Sequence, residues 1–281
     1  MSAADCIHSN IWFEEAVGDE PFTADVCYCY GYDVYGEILT HAGWIEYLYL
    51  LFKGERPTAT QARLLEKIAL AIANPGPRDH SIRAAMNGGV GGSDHAACLI
   101  AALAVGAGDY GGAGELSKSM ALWLTANKDI HCLQQAIHKH RDITARTNPA
   151  DPDLLPGFAT YAEACNLPVR QTLDCMSQVH DAGILNWLAR NRTEVESIAG
   201  IPLAMTGVIA AAMTDLEFST SQAEMLYLIL RLPGAAVHAL EQTQFGWKHY
   251  PFFKAGLHIE DDPAKRHENR EGNDVKQQST V

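Results

Sequence analysis

Apolar positions recur three and four residues apart along most of this chain, the spacing of helices with one buried face. Residues 45–52 carry this pattern and stop at Lys53-Gly54-Glu55-Arg56-Pro57, a glycine–proline helix end. Thr58 is placed to cap a helix over 61–73, which Asn74-Pro75-Gly76-Pro77 breaks. Asp79 can cap a helix over 80–87, and Gly88-Gly89-Val90-Gly91-Gly92 interrupts it. Ser93 or Asp94 then caps an alanine-rich helix reaching Ala107. Amphipathic patterns follow at 116–125 and 129–144, and then an irregular proline-rich link over 148–158. Further helices are expected from Tyr161, at 169–181, near 192–197, and at 202–213, 221–231 and 234–245. Strand chemistry is confined to Val26-Cys27-Tyr28-Cys29-Tyr30. Residues 1–25 read as a mixed polar arm, and 268–281 as a disordered charged end. The class expected is all-α.

One stretch stands apart from this pattern. Gly106-Ala107-Gly108-Asp109-Tyr110-Gly111-Gly112-Ala113-Gly114-Glu115 puts five glycines, two acids and one phenol in ten residues. Such a backbone can turn with positive φ and approach a ligand closely. A tight helix–helix connection without chemistry fits the stretch equally well.

Composition narrows the partners. The formal charge of -13 disfavours nucleic acid and anionic membrane surfaces. Seven scattered cysteines suit free thiols in a reducing cytoplasm. Cys27-x-Cys29 has no second pair at zinc spacing, and of the clustered His131, His138 and His140 the last two stand two apart and do not share a helix face, so no metal site is expected. No apolar run was long enough to suggest a membrane span, and no basic-then-apolar leader opens the chain.

A family likeness is carried by particular residues. Cys29-Tyr30-Gly31-Tyr32-Asp33-Val34, then the run from Trp44 to Thr58, resembles the opening of the citrate synthase family. Asp79-His80, the small-residue helix, Tyr110-Gly111-Gly112-Ala113-Gly114-Glu115, Pro156-Gly157-Phe158 and Arg231-x-x-Gly234-x-x-x-His238-x-x-Glu241 follow in that family's order. The likeness covers roughly residues 26–245, and the short chain is closer to the citryl-CoA lyase branch. It implies an all-helical homodimer without a resident cofactor. A large domain would comprise 1–115 and 219–281, and a small domain 116–218, with the active site between them. The substrate implied is a small-molecule carboxylate or acyl-CoA thioester, with carbon–carbon bond chemistry beside the thioester.

The resemblance also assigns roles. Asp215 aligns with the catalytic carboxylate, and its apolar neighbours are expected to raise its pKa. Tyr110 stands where the first family histidine would precede Gly-Gly-Ala, and Thr160 where the second would follow the small-domain turn. Both keep a hydrogen-bond donor, and a phenol can serve an enolate oxygen. Gly111 and Gly112 belong to the substrate loop. His80 and Arg231 match positions that contact substrate carboxylates, where the guanidinium fork suits bidentate binding. Arg170 is the basic residue near the turn that could meet CoA phosphates. Three readings stay open: a carbon–carbon lyase or synthase; another reaction such as hydration, isomerisation or thioester hydrolysis; and a non-catalytic metabolite-binding protein. Fold likeness cannot choose among them.

Overall fold

The computed structural model describes residues 8–250 except 149, 152 and 181. The charged end at 260–281 and the aromatic positions 251–253 lie outside the described residues. The described residues are mostly helical, as expected, with eleven α-helices among them. It opens with a three-stranded antiparallel sheet: β1 (Trp12–Val17), β2 (Glu20–Cys29) and β3 (Tyr32–Asp33). Trp12 pairs with Cys29 and Tyr28 with Asp33. The strands thus begin well before residue 26. Every residue of β1 is exposed, so no alternation of apolar and polar positions marked it in the sequence.

The helices are α1 (Leu39–His41), α2 (Trp44–Lys53), α3 (Ala59–Ile72), α4 (His80–Val90), α5 (His95–Gly106), α6 (Ala113–Ala126) and α7 (Ile130–Thr147). They continue as α8 (Leu167–Ser177), α9 (Gly183–Ala199), α10 (Met205–Asp215) and α11 (Thr220–Phe245). Local caps start several of them. The Thr58 hydroxyl accepts from Gln61 N, Asp79 from Ser81 N, and Asp94 from Ala97 N. Gly54 ends α2 with φ 75°.

Four expectations are corrected. Residues 161–166 are not helical, and α8 begins only at Leu167. The segment expected at 192–197 is the end of a seventeen-residue helix, α9. Helix α4 continues through Gly88 and Gly89 to Val90, because those glycines let a neighbour approach: a Cβ at Gly89 would collide with the Ala239 carbonyl of α11. Finally, α11 passes through Pro233 as one helix. The next amide, Gly234 N–H, donates to the Ala73 carbonyl at the end of α3 (2.8 Å), so a tertiary contact uses the irregularity.

Two cores result. A small-residue cluster of Ile82, Ala85, Cys98, Ala102, Ala235 and Ala239 joins α4, α5 and the second half of α11. The main core joins α2, α3, α6 to α10 and the first half of α11, around Trp123, Tyr49, Leu116 and Leu226. This apolar core runs without a break across residues 116 and 218. By length and composition α11 could cross a membrane, contrary to the sequence expectation. One face of it, with Leu226, Ala235 and Ala239, is buried, it packs against α4, α5 and α6, and it carries the buried Arg231.

Candidate active site

Four elements converge on one cleft of about 620 Å³. The first is the glycine-rich turn between α5 and α6. Gly111 takes φ +69°, and a Cβ at Gly112 would overlap the carbonyls of Gly106 and Gly108. Only glycine fits there, which explains the composition of the stretch. The turn presents Tyr110, 45% exposed, at the cleft. Its phenol oxygen accepts from Asn148 Nδ2 (3.1 Å) at the end of α7, leaving its own hydrogen available to a further acceptor.

The second element is the turn Pro156-Gly157-Phe158, where Gly157 has φ +84°. It is stitched to the segment before α10: Ala204 N–H donates to Gly157 O (2.9 Å) and Ala159 N–H to Pro202 O (2.8 Å). Trp123 Nε1 donates to Gly207 O (2.9 Å), fixing the first turn of α10 on α6. This stitching brings Thr160 and Thr206 to the same cleft wall.

The third element is the start of α4. Asp79 Oδ1 caps the helix while Arg78 and His80 stand exposed at the cleft. A helix N-terminus with two basic side chains favours an anion. The fourth is α11, which supplies Tyr227 and Arg231 one turn apart. Arg231 is buried. Its Nη2 pairs with Asp79 Oδ2, its Nη1 donates to Gly111 O (3.0 Å), and its guanidinium lies 4.7 Å from the Tyr227 ring centre. The Tyr227 hydroxyl donates to the same Gly111 oxygen (3.1 Å), and burial pushes that phenol up to about 12. Arg231 therefore lines the cleft while its fork holds Asp79 and the glycine-rich turn together.

Glu115 sits where these elements meet. It is 7% exposed. Gly111 N–H donates to Oε2 (2.5 Å), Gly157 N–H donates to Oε1 (3.1 Å), and the Thr206 hydroxyl also donates to Oε1. One carboxylate thus ties the glycine-rich turn, the Pro-Gly turn and α10 together.

Asp215 is elsewhere. Its oxygens accept from Ile184 N–H (2.7 Å) and Leu185 N–H (2.9 Å), so it caps α9, and it is not among the residues lining the cleft. Burial raises its pKa, and the two amides pull it back. Arg170 also lies apart, in a second cavity of about 490 Å³ with Cys165, Arg192 and Glu196. Arg192 is paired there with Glu196, and burial followed by Glu196 pushes the Cys165 thiol up to about 11.

Solved structures match this arrangement over nearly its whole length. Citryl-CoA lyase from Hydrogenobacter thermophilus superposes with a TM-score of 0.66 at 18% identity, covering 92% of this chain and 95% of that one. The fold is citrate synthase-like. ATP citrate lyase from Methanothrix soehngenii, in complex with citrate and coenzyme A, matches 90% of this chain at a TM-score of 0.66 and 15% identity. Methanosaeta concilii ATP citrate lyase, in complex with (3S)-citryl-CoA, matches 93% at a TM-score of 0.66 and 14% identity. This chain spans 41% and 43% of those two longer proteins. No family model and no curated protein matches the sequence.

On this citrate synthase-like fold, the cleft gathers Tyr110, Gly111, Thr160, His80 and Arg231 from positions 80 to 231 of the chain. Gly112 stands just behind them as the cap of α6. Sequence reasoning gave no role to Glu115, Thr206, Tyr227 or Asn148. A signal existed for Glu115: it is a carboxylate in the first turn of a helix, flanked by Gly114 and Leu116.

The cap role of Asp215 has a testable consequence. Asp215→Ala removes both bonds to α9 and should lower stability by about 1 kcal/mol without affecting turnover of a cleft ligand. The raised carboxyl adds a pH signature. Between the ordinary carboxylate range and the raised value, the folded state holds a proton that the unfolded state has lost, so stability falls as pH rises. Asp215→Asn should flatten that slope in urea titrations at several pH values.

Proposed function

We propose that this protein makes or breaks a carbon–carbon bond in a carboxylated acyl-CoA thioester, as a citryl-CoA lyase-like enzyme. One observation carries the reading. A single cleft brings together an anion-favouring helix start with Arg78 and His80, a phenol with a free hydrogen at Tyr110, and a buried carboxylate at Glu115. Such a reaction needs carboxylate recognition, a donor for an enolate oxygen, and a proton acceptor. His80 and Arg78 receive the substrate carboxylates in this reading. Tyr110 donates to the thioester-derived oxygen and Thr160 to the keto oxygen of the other fragment, filling the places of the two family histidines. The near-complete overlap with a citryl-CoA lyase supports the substrate class.

The committed position of Asp215 favours a second reading, in which the cleft binds the same metabolites without turnover. A thermal-shift screen with citrate, citryl-CoA and acetyl-CoA, followed by assay of each stabilising ligand, separates the two. Stabilisation with turnover supports the enzyme. Stabilisation without turnover supports the binder, and no stabilisation by any of them contradicts both.

A homodimer belongs to the same proposal. Ile229, Val237 and Leu240 expose one apolar stripe of α11, and Ile100 and Val105 stand exposed on the adjoining α5. Ile100→Asp should convert a dimer into a monomer in sedimentation velocity, with the monomer still folded.

A further inference from the structure

The cleft contains two carboxylates, Asp79 and Glu115. Asp79 is consumed: Oδ1 caps α4 and Oδ2 meets Arg231. Glu115 is held differently. Among the described residues no ion pair engages it, and its three partners are neutral donors. One of these is a hydroxyl. The Thr206 hydrogen points to Glu115 Oε1, so the Thr206 oxygen keeps its lone pairs for a donor on the cleft side. Both side chains are more than nine-tenths buried yet line the cleft, at 5% and 7% exposure. Their backbones are fixed by Trp123 on Gly207 and by the stitched Pro-Gly turn.

We infer that Thr206 and Glu115 form a two-step proton relay, with Thr206 as the group touching substrate and Glu115 as the proton acceptor behind it. The inference rests on the carbon–carbon lyase reading above. In the cleaving direction, the substrate hydroxyl on the carbon β to the thioester gives its proton to Thr206 Oγ1. The Thr206 hydroxyl proton passes to Glu115 Oε1 in the same step. The substrate oxygen's electron pair becomes the ketone C=O. The Cα–Cβ bond breaks, and its electron pair forms the acyl-CoA enolate, whose oxygen Tyr110 meets with its hydrogen. The proton then returns from Glu115 through Thr206 to Cα. The products are a keto acid and an acyl-CoA thioester. Every proton and electron is accounted for, and no further reactant is needed. The relay also explains a buried carboxylate with one hydroxyl partner in the wall of the cleft.

The test uses citryl-CoA as probe and the full chain as catalyst. Thr206→Val keeps the shape and removes the hydroxyl; Thr206→Ser restores it. Thr206→Val and Glu115→Gln should each lower kcat by about 10²- to 10⁴-fold, the range of general acid–base catalysis. Thr206→Ser should recover most of the loss. Thr206→Ser should also keep a curved proton inventory in mixed H₂O and D₂O, which a purely structural clamp would not show. Thermal melts report whether the variants fold. If they do not fold, the wild type still decides: a proton inventory in mixed H₂O and D₂O should curve, with two protons in flight, and a linear inventory overturns the relay. Folded variants that keep wild-type turnover overturn it as well. A wild type that leaves citryl-CoA intact overturns the lyase reading itself, and the relay with it.

Discussion

Arg231→Met lowers the stability of the fold by about 3–5 kcal/mol, the range for breaking a buried ion pair from one side. Arg231 and Asp79 are both largely buried, with side-chain exposures of 6% and 17%. Removing the guanidinium strands the Asp79 carboxylate and takes one of two donors from the Gly111 carbonyl. It also removes the face that packs on Tyr227. The glycine-rich turn, the start of α4 and α11 then lose their common tie. Asp79 has a second job as the cap of α4, so Asp79→Asn should cost less than Arg231→Met. A double-mutant cycle in urea should return a coupling well above the few tenths of a kcal/mol seen between independent sites. Additive effects would mean that Arg231 is held by its surroundings and not by Asp79. The same geometry bears on the role expected of Arg231: its fork is occupied by Asp79 and the Gly111 carbonyl, and in the proposed reading direct contact with substrate carboxylates falls to His80 and Arg78.

Tyr110→Phe leaves the fold intact and lowers kcat by about 10²- to 10³-fold, the loss that follows removal of one oxyanion donor. The structural loss is one exposed hydrogen bond from Asn148, worth about 1 kcal/mol. The effect should fall on kcat more than on KM, because the hydrogen is used where negative charge develops. Steady-state kinetics with citryl-CoA reads this split. A variant with a higher KM and unchanged kcat would make Tyr110 a binding group only.

What could be read from the sequence was local. Thr58, Asp79 and Asp94 announced their helices because a cap bonds amides two or three residues away. Tyr110 and Thr160 were found at the cleft because they adjoin turns whose glycines take positive φ. The cap made by Asp215 was not legible because its partners, the amides of Ile184 and Leu185, lie about thirty residues earlier. No spacing rule joins a residue at the end of one helix to the start of another. Pro233 read as a break for a similar reason: the contact between Gly234 and Ala73 that accommodates it spans the fold. Of the β1–β2 arm only the end of β2 was legible, because the exposure of all of β1 erases the alternation that marks a strand. Glu115 and Thr206 stand 91 residues apart, and only the stitching of the Pro-Gly turn to α10 makes them neighbours.

The most direct measurement follows the carbon skeleton. Citryl-CoA labelled with ¹³C throughout its acyl group, incubated with the wild-type protein, is read by NMR. The proposed chemistry gives two products, a labelled acetyl thioester and a labelled four-carbon keto acid, with no free citrate. Release of labelled citrate with its six carbons still joined, or recovery of unchanged citryl-CoA, would contradict it.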